Sequence, residues 1–243
     1  MIPKTIHYCW FGGNPLPIKL RRYIESWKEN LPDYKIIEWN ETNFDVNSTL
    51  WTKQAYEKKM YAFVSDYVRL KVLVEYGGIY LDTDVEVVKS FNDILELDAF
   101  GGFETDKTIT TGVIGSRKGN LILKEFLSEY NKCFIADDGT LNNDSNVLQF
   151  TQILLKHGLL LNNQYQIIEG FHVFPKTFFC PLDVWHYKDI TENTYAIHYF
   201  EGSWLDDETK KRIKRESSLF YKSYISIKGY IGKLYHRVRK ARE

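Results

Sequence analysis

The sequence predicts an α/β protein: a single domain with a Rossmann-like mixed sheet flanked by helices, followed by a helical C-terminal extension. Three observations carry this. A strand, a helix and a second strand fit inside the first forty residues, which makes a βαβ unit with a parallel pair and a right-handed crossover. Strand-like and helix-like patterns then alternate to about residue 200. No repeat and no linker long enough to divide the body interrupts them. The domain is therefore read as residues 1–205, and the extension as residues 206–243.

Each element follows from its local pattern. Thr5 to Phe11 is an apolar strand stopped by Gly12-Gly13-Asn14-Pro15. Pro17 to Asn30 places Leu20, Ile24 and Trp27 on one helical face, and Tyr34 to Trp39 is the next strand. Lys53 to Tyr76 reads as one long helix ended by Gly77. Its apolar residues cover several sides, so it should be largely buried, and Ser65, Asp66 and Arg69 stand out within it. Ile79 to Val88 alternates as a strand, with Tyr80, Asp82, Asp84 and Glu86 on one face. Further strands are expected at Ala99–Phe103, Gly112–Ser116, Tyr165–Ile168, His172–Phe174 and Tyr195–Phe200, and helices at Leu121–Asn131 and Asn146–His157.

Composition narrows the function. The chain has 243 residues and zero formal net charge, but residues 206–243 hold twelve Lys/Arg against five Asp/Glu. The body is correspondingly acidic. A basic amphipathic helix over residues 210–242 suits an anionic membrane surface, or the body's own acidic face. Nucleic acid is disfavoured because no recognised motif accompanies the charge. Three scattered cysteines, Cys9, Cys133 and Cys180, form neither a disulfide framework nor a zinc spacing. With no signal-peptide pattern and no apolar run near about twenty residues, the expected location is cytoplasmic, with peripheral attachment to the inner face of the plasma membrane.

The chemistry concentrates around Asp82 and Asp84. Aspartate is a poor strand former, yet two occur in an otherwise ideal strand directly after a Gly-Gly turn. Carboxylates so placed hold a hard cation such as Mn²⁺ or Mg²⁺ and leave room for phosphate oxygens; an exposed polar strand face is the plainer explanation. Asp66 and Arg69, at i and i+3, can pair on one helix face, as a structural ion pair or as part of an oxyanion site.

Two motifs and an opening make the pattern specific. Residues 62–69 (Ala-Phe-Val-Ser-Asp-Tyr-Val-Arg) and 76–84 (Tyr-Gly-Gly-Ile-Tyr-Leu-Asp-Thr-Asp) resemble the DXD signature of family-32 glycosyltransferases. That family is similar here to the glucosylating domain of large clostridial toxins. Residues 2–12 resemble the family's opening, found in capsule and cell-surface polysaccharide enzymes, and residues 198–204 (His-Tyr-Phe-Glu-Gly-Ser-Trp) resemble its late motif.

The resemblance implies a GT-A-like fold and retaining transfer of a hexosyl unit from a nucleotide sugar to a saccharide or lipid-linked acceptor. It implies that Trp10 stacks on the base, although Trp10 in an apolar strand also suits the core. Asp66 and Arg69 would hold the donor sugar and diphosphate, with Ser65 and Tyr80 close by. Asp82 would meet the ribose or the metal's water shell, and Asp84 would ligate the metal. His198 would complete the metal site, unless Glu201 and Ser203 do so, and Ser203 with Trp204 would close over the diphosphate. Asp82, Asp84 and Arg69 form the expected catalytic set. Between Phe103 and Asn146, the residues Glu104, Thr111 and Asn146 are acceptor-site candidates. Uridine is favoured over guanosine. The rival readings are a non-catalytic carbohydrate-binding protein and a metal-dependent phosphohydrolase, which wants Thr or Val where this chain has Glu86.

Overall fold

The computed structural model describes residues 1–142, 144–182 and 189–202. In chain order the elements are β1 (Thr5–Cys9), α1 (Ile18–Asn30), β2 (Lys35–Trp39), α2 (Leu50–Glu57), α3 (Tyr61–Tyr76), β3 (Gly78–Leu81), β4 (Val85–Val87), β5 (Ala99–Thr105), β6 (Thr108–Ile109), β7 (Val113–Ser116), α4 (Leu121–Ser128), α5 (Asn146–Lys156), β8 (Gln166–Ile168), β9 (Phe171–Phe174) and β10 (Ala196–His198). The α/β class expected from the sequence is what the chain adopts: a mixed sheet with helices against it. The expected extension, 206–243, lies outside the described residues, as do Ser203 and Trp204.

The main sheet runs β2-β1-β3-β7-β5-β9-β8, with β6 paired to β5. β1 is parallel to both β2 and β3, while β7 is antiparallel to β3 and β5. The chain leaves β1 for β2 on one side and returns through α2 and α3 to β3 on the other. That reversal makes β1/β3 a switch point, at whose carboxyl ends open α/β sheets bind ligands.

Alternating strand residues divide the core between the two faces. Cys9, Tyr80, Ile114 and Phe171 join one apolar cluster with Trp51, Val68, Phe126 and Phe150 of the helices. Ile6, Ile79, Leu81 and Val113 join a second cluster with Ile24 and Trp27 of α1 and with Val85 and Val87 of β4. Trp27 is fully buried, and its indole N–H donates to the Val85 carbonyl at 2.7 Å. A fully buried apolar side chain of Val to Phe size stabilises the fold by about 1.5–3 kcal/mol. His7 is scaffold: Nε2–H donates to the Gly77 carbonyl at 2.9 Å and Nδ1 accepts from the Trp39 indole at 3.1 Å.

Two expected elements are broken. The helix foreseen over Lys53–Tyr76 is two helices, because the chain reverses at Lys59, whose φ is +58°. The strand foreseen over Ile79–Val88 stops at Leu81 and resumes at Val85 in a separate two-stranded sheet with β10. The reason is tertiary. β3 is held by β1 and β7, while Val85–Val87 pairs with Ala196–His198. Gly77 ends α3 as expected, with φ +68°, and a Cβ there would sit 2.7 Å from the Lys118 backbone nitrogen.

Candidate metal and donor site

Asp82 and Asp84 occupy the break between β3 and β4 rather than one strand face. The Asp82 N–H donates to the Gly112 carbonyl at 2.9 Å, the last tie to the main sheet, and the Val85 N–H closes a turn on the Asp82 carbonyl at 3.1 Å. The turn lies at the carboxyl end of β3, beside the end of β1 that leads into Trp10. β4 then fixes what faces it, because the antiparallel register pairs His198 with Val85. That register brings His198 Nε2 to 3.2 Å from Asp84 Oδ1.

One ligand atom each from Asp82, Asp84 and His198 can be chosen so that all lie within 4.8 Å of one another. The space among them exists because residue 112 is glycine. A Cβ on Gly112 would fall 2.9 Å from Asp82 Oδ2 and 2.8 Å from His198 Cε1. Two carboxylates and an imidazole around such a cradle fit a divalent cation. Burial works against the charge of both Asp84 and His198, but their mutual attraction outweighs it. Asp84 is therefore held below the usual carboxylate range and His198 well above the usual imidazole range. Asp84 also accepts from the Glu201 N–H through Oδ2 at 2.8 Å, and its carbonyl accepts from the Tyr199 N–H at 3.0 Å.

Arg69 braces the first aspartate from below. It is buried on α3, with Nη2 at 3.0 Å from Asp66 Oδ1 and 3.1 Å from Asp82 Oδ1, and Nη1 donating to the Thr111 carbonyl at 2.7 Å. The Tyr80 hydroxyl donates to the same Asp82 Oδ1 at 3.0 Å, and the guanidinium carbon lies 4.7 Å from the Tyr80 ring centre. With Oδ1 taken by two donors, Asp82 turns Oδ2 toward Gly112 and His198. Both terminal nitrogens are engaged by protein groups while the buried Nε has no hydrogen-bond partner, and Arg69 acts on the site by fixing Asp82. Burial pushes the Asp66 carboxyl up to about 7, against the pull of Arg69 and with Asp82 adding to the push.

The remaining expected residues are placed in different ways. Trp10 is half-buried just past β1, packs against an apolar cluster, and donates its indole N–H to the Asn14 carbonyl at 2.6 Å. Glu104, at the end of β5, faces the metal-binding group: burial raises its pKa, His198 opposes the rise, and Asp82 and Asp84 add to it. Ser65 instead returns its hydroxyl to the Tyr61 carbonyl of its own helix at 3.1 Å. Thr111 and Asn146, foreseen at the acceptor, serve the Arg69 network. The Thr111 carbonyl takes Arg69, and the Asn146 amide donates to Asp66. The Glu201 carboxylate turns away to Lys19 and the Tyr23 hydroxyl of α1, so of His198 and Glu201 it is His198 whose side chain faces the aspartates; Ser203 lies outside the described residues. Sequence reasoning missed Gly112, whose contribution comes from distant contacts and leaves no local pattern.

The chain is similar to sugar-transferring proteins. Residues 17–100, about a third of the chain, match the family model described as the glycosyltransferase sugar-binding region containing the DXD motif. An uncharacterized glycosyltransferase of Acanthamoeba polyphaga mimivirus is 34% identical over 131 residues, covering 48% of this chain and 51% of that protein. Inositol phosphoceramide mannosyltransferase 3 of Schizosaccharomyces pombe is 31% identical over 126 residues, covering 50% and 35%. Subversion of eukaryotic traffic protein A of Legionella pneumophila is 27% identical over 171 residues, covering 56% and 26%. The matched segments thus span about half the length of these relatives or less. Among solved structures, the PaToxG glycosyltransferase is similar with a TM-score of 0.49 and 23% identity, covering 64% of this chain and 68% of that one.

Proposed function

We propose that this chain is a metal-dependent, retaining glycosyltransferase of GT-A type that moves a hexosyl unit from a uridine-diphosphate sugar to a saccharide acceptor. The observation that carries this is the convergence of Asp82, Asp84 and His198 at the carboxyl end of β3, braced by Arg69, in a segment matching a DXD-containing region. Asp82, Asp84 and His198 would hold Mn²⁺ or Mg²⁺, which when bound supplies Lewis-acid stabilisation of the departing diphosphate.

The protein's own part is to hold these groups before the substrate arrives. Arg69 and Tyr80 fix one Asp82 oxygen, while the Glu201 N–H and His198 fix the two oxygens of Asp84. Preorganised charge of this kind costs no rearrangement during the reaction. Trp10, beside the turn, is our choice for the base platform. Glu104 is our choice for a polar contact to the transferred sugar or the acceptor. Burial raises its carboxyl pKa above the ordinary carboxylate value. Both oxygens of Asp84 accept hydrogen bonds, and one oxygen of Asp82 does, which supports a metal-holding role for the pair and front-face attack by the acceptor hydroxyl, with retention. The basic sequence of 206–243 and the lipid acceptor in the name of the mannosyltransferase relative support a lipid-linked acceptor in cell-surface polysaccharide synthesis.

The test is a panel of nucleotide sugars assayed for Mn²⁺-stimulated turnover, with soluble and lipid-linked acceptors, on wild type and Asp84→Ala. The expected result is a metal-stimulated donor and a loss of at least about 100-fold in the variant, with its circular dichroism unchanged. Turnover of Asp84→Ala near the wild-type rate would remove the metal role assigned to it.

A further inference from the structure

We infer that Phe200 is a donor-contacting residue whose phenyl ring meets the hexosyl ring attached to the metal-bound diphosphate. This rests on the donor reading above. Phe200 has a φ of +52°, a left-handed backbone that is uncommon for any residue with a side chain and an outlier for a bulky one. Among the described residues three other non-glycine positions have positive φ, Lys59, Asn163 and Glu169, all polar residues in connections between elements. Phe200 is the aromatic one, and it stands two residues from His198. Strain of this kind persists where the surroundings enforce it, and it clusters at ligand-binding sites.

Here the enforcing contacts are those that clamp Asp84. The Tyr199 N–H donates to the Asp84 carbonyl at 3.0 Å and the Glu201 N–H to Asp84 Oδ2 at 2.8 Å, which turns the chain at the residue between. The Tyr199 hydroxyl donates to Glu86 at 2.6 Å, and the Glu201 carboxylate is held by Lys19 and Tyr23. Glycine would make that turn without strain, so the phenyl needs its own reason. Core packing does not supply it, because Phe200 is 43% exposed. Its ring lies against the His198 imidazole, with centroids 4.2 Å apart and planes inclined at 34°. The ring therefore borders the Asp82, Asp84 and His198 group while part of its surface stays open. With the base assigned to Trp10, the hexose is the ring of the donor joined to a diphosphate on that group. An aromatic face is electronegative, and the C–H groups on the flat side of a pyranose are weakly positive, so the two stack without a hydrogen bond.

The experiment titrates the full chain calorimetrically, in Mn²⁺, with uridine diphosphate, UDP-glucose, UDP-galactose and UDP-N-acetylglucosamine. Mn²⁺ affinity itself is followed by the electron paramagnetic resonance signal of the free ion. Phe200→Gly removes the ring and keeps the backbone, Phe200→Leu keeps apolar bulk over His198 without the aromatic face, and Phe200→Tyr keeps that face. Phe200→Gly and Phe200→Leu should each weaken the tightest-binding UDP-sugar about 3–10-fold. Their affinities for uridine diphosphate and for Mn²⁺ should stay at wild-type values, with far-UV circular dichroism unchanged, and Phe200→Tyr should match wild type throughout. Three results overturn the inference and leave the metal site standing: equal weakening of uridine diphosphate and the UDP-sugar, a loss of Mn²⁺ affinity, or UDP-sugar affinity unchanged in both Phe200→Gly and Phe200→Leu. Wild-type binding of uridine diphosphate but of none of the three UDP-sugars also overturns it. Failure of the wild-type chain to bind uridine diphosphate in Mn²⁺ overturns the donor reading and the inference with it.

Discussion

Gly112 has no side chain, and the positions of two other side chains depend on that. A methyl group there would meet Asp82 Oδ2 and the His198 ring at under 3 Å. Gly112→Ala should therefore cost about 1–3 kcal/mol from overpacking and reduce Mn²⁺ affinity more than it lowers the melting temperature would suggest. A variant that keeps full metal affinity would show the cradle to be incidental. Arg69 sets a second residue-level expectation. Removing it strands the half-buried Asp66 and Asp82 carboxylates, so Arg69→Ala should destabilise by about 3 kcal/mol. Tyr80→Phe removes only one donor from Asp82 Oδ1 and should cost about 1 kcal/mol. Urea unfolding of both variants checks the ordering, and equal costs would contradict it. Asp82, Asp84 and Arg69 were legible in the sequence because charged residues are conspicuous in apolar elements. Gly112 was not, since a glycine before a strand looks like an ordinary turn residue.

Most elements could be read from periodicity, because α1 and α5 each bury one face in a pattern that follows the helical repeat. The exception is informative. Alternation continues through Thr83, Val85 and Val87, all buried, so nothing local announces that the chain leaves one sheet for another after Leu81. Only the pairing of β4 with β10 decides it, and that pairing is what delivers His198 to Asp84. At this scale a second device lies far from the site. His157, just past α5, contacts Glu125 of α4 through Nε2 at 2.7 Å and Glu169 of the β8–β9 turn through Nδ1 at 2.9 Å. Only the imidazolium can donate at both nitrogens, so the hydrogen bonds to Glu125 and Glu169 raise its pKa above 6.5. A raised folded-state pKa means the contact contributes fully below about 6.5 and fades as pH rises through the elevated value. His157→Gln should thus lower the melting temperature more at pH 6 than at pH 9. An equal deficit at both would show that the charge is not what ties the three elements.

For the molecule as a whole, the β1/β3 switch point collects Trp10, the Asp82–Asp84 turn and, by way of β4, His198. The main sheet therefore supplies the aspartate turn, and the two-stranded β4–β10 sheet supplies the histidine that faces it. If the histidine and the turn together hold a cation for a diphosphate, nucleotide and metal must bind as linked ligands. The most direct measurement is calorimetric titration of the full chain with uridine diphosphate, in Mn²⁺ and again in excess chelator. Binding should tighten at least about tenfold with the metal, and Asp84→Ala should abolish that gain. Equal affinity in Mn²⁺ and in chelator would contradict the assignment of Asp82, Asp84 and His198 as the group that meets the diphosphate.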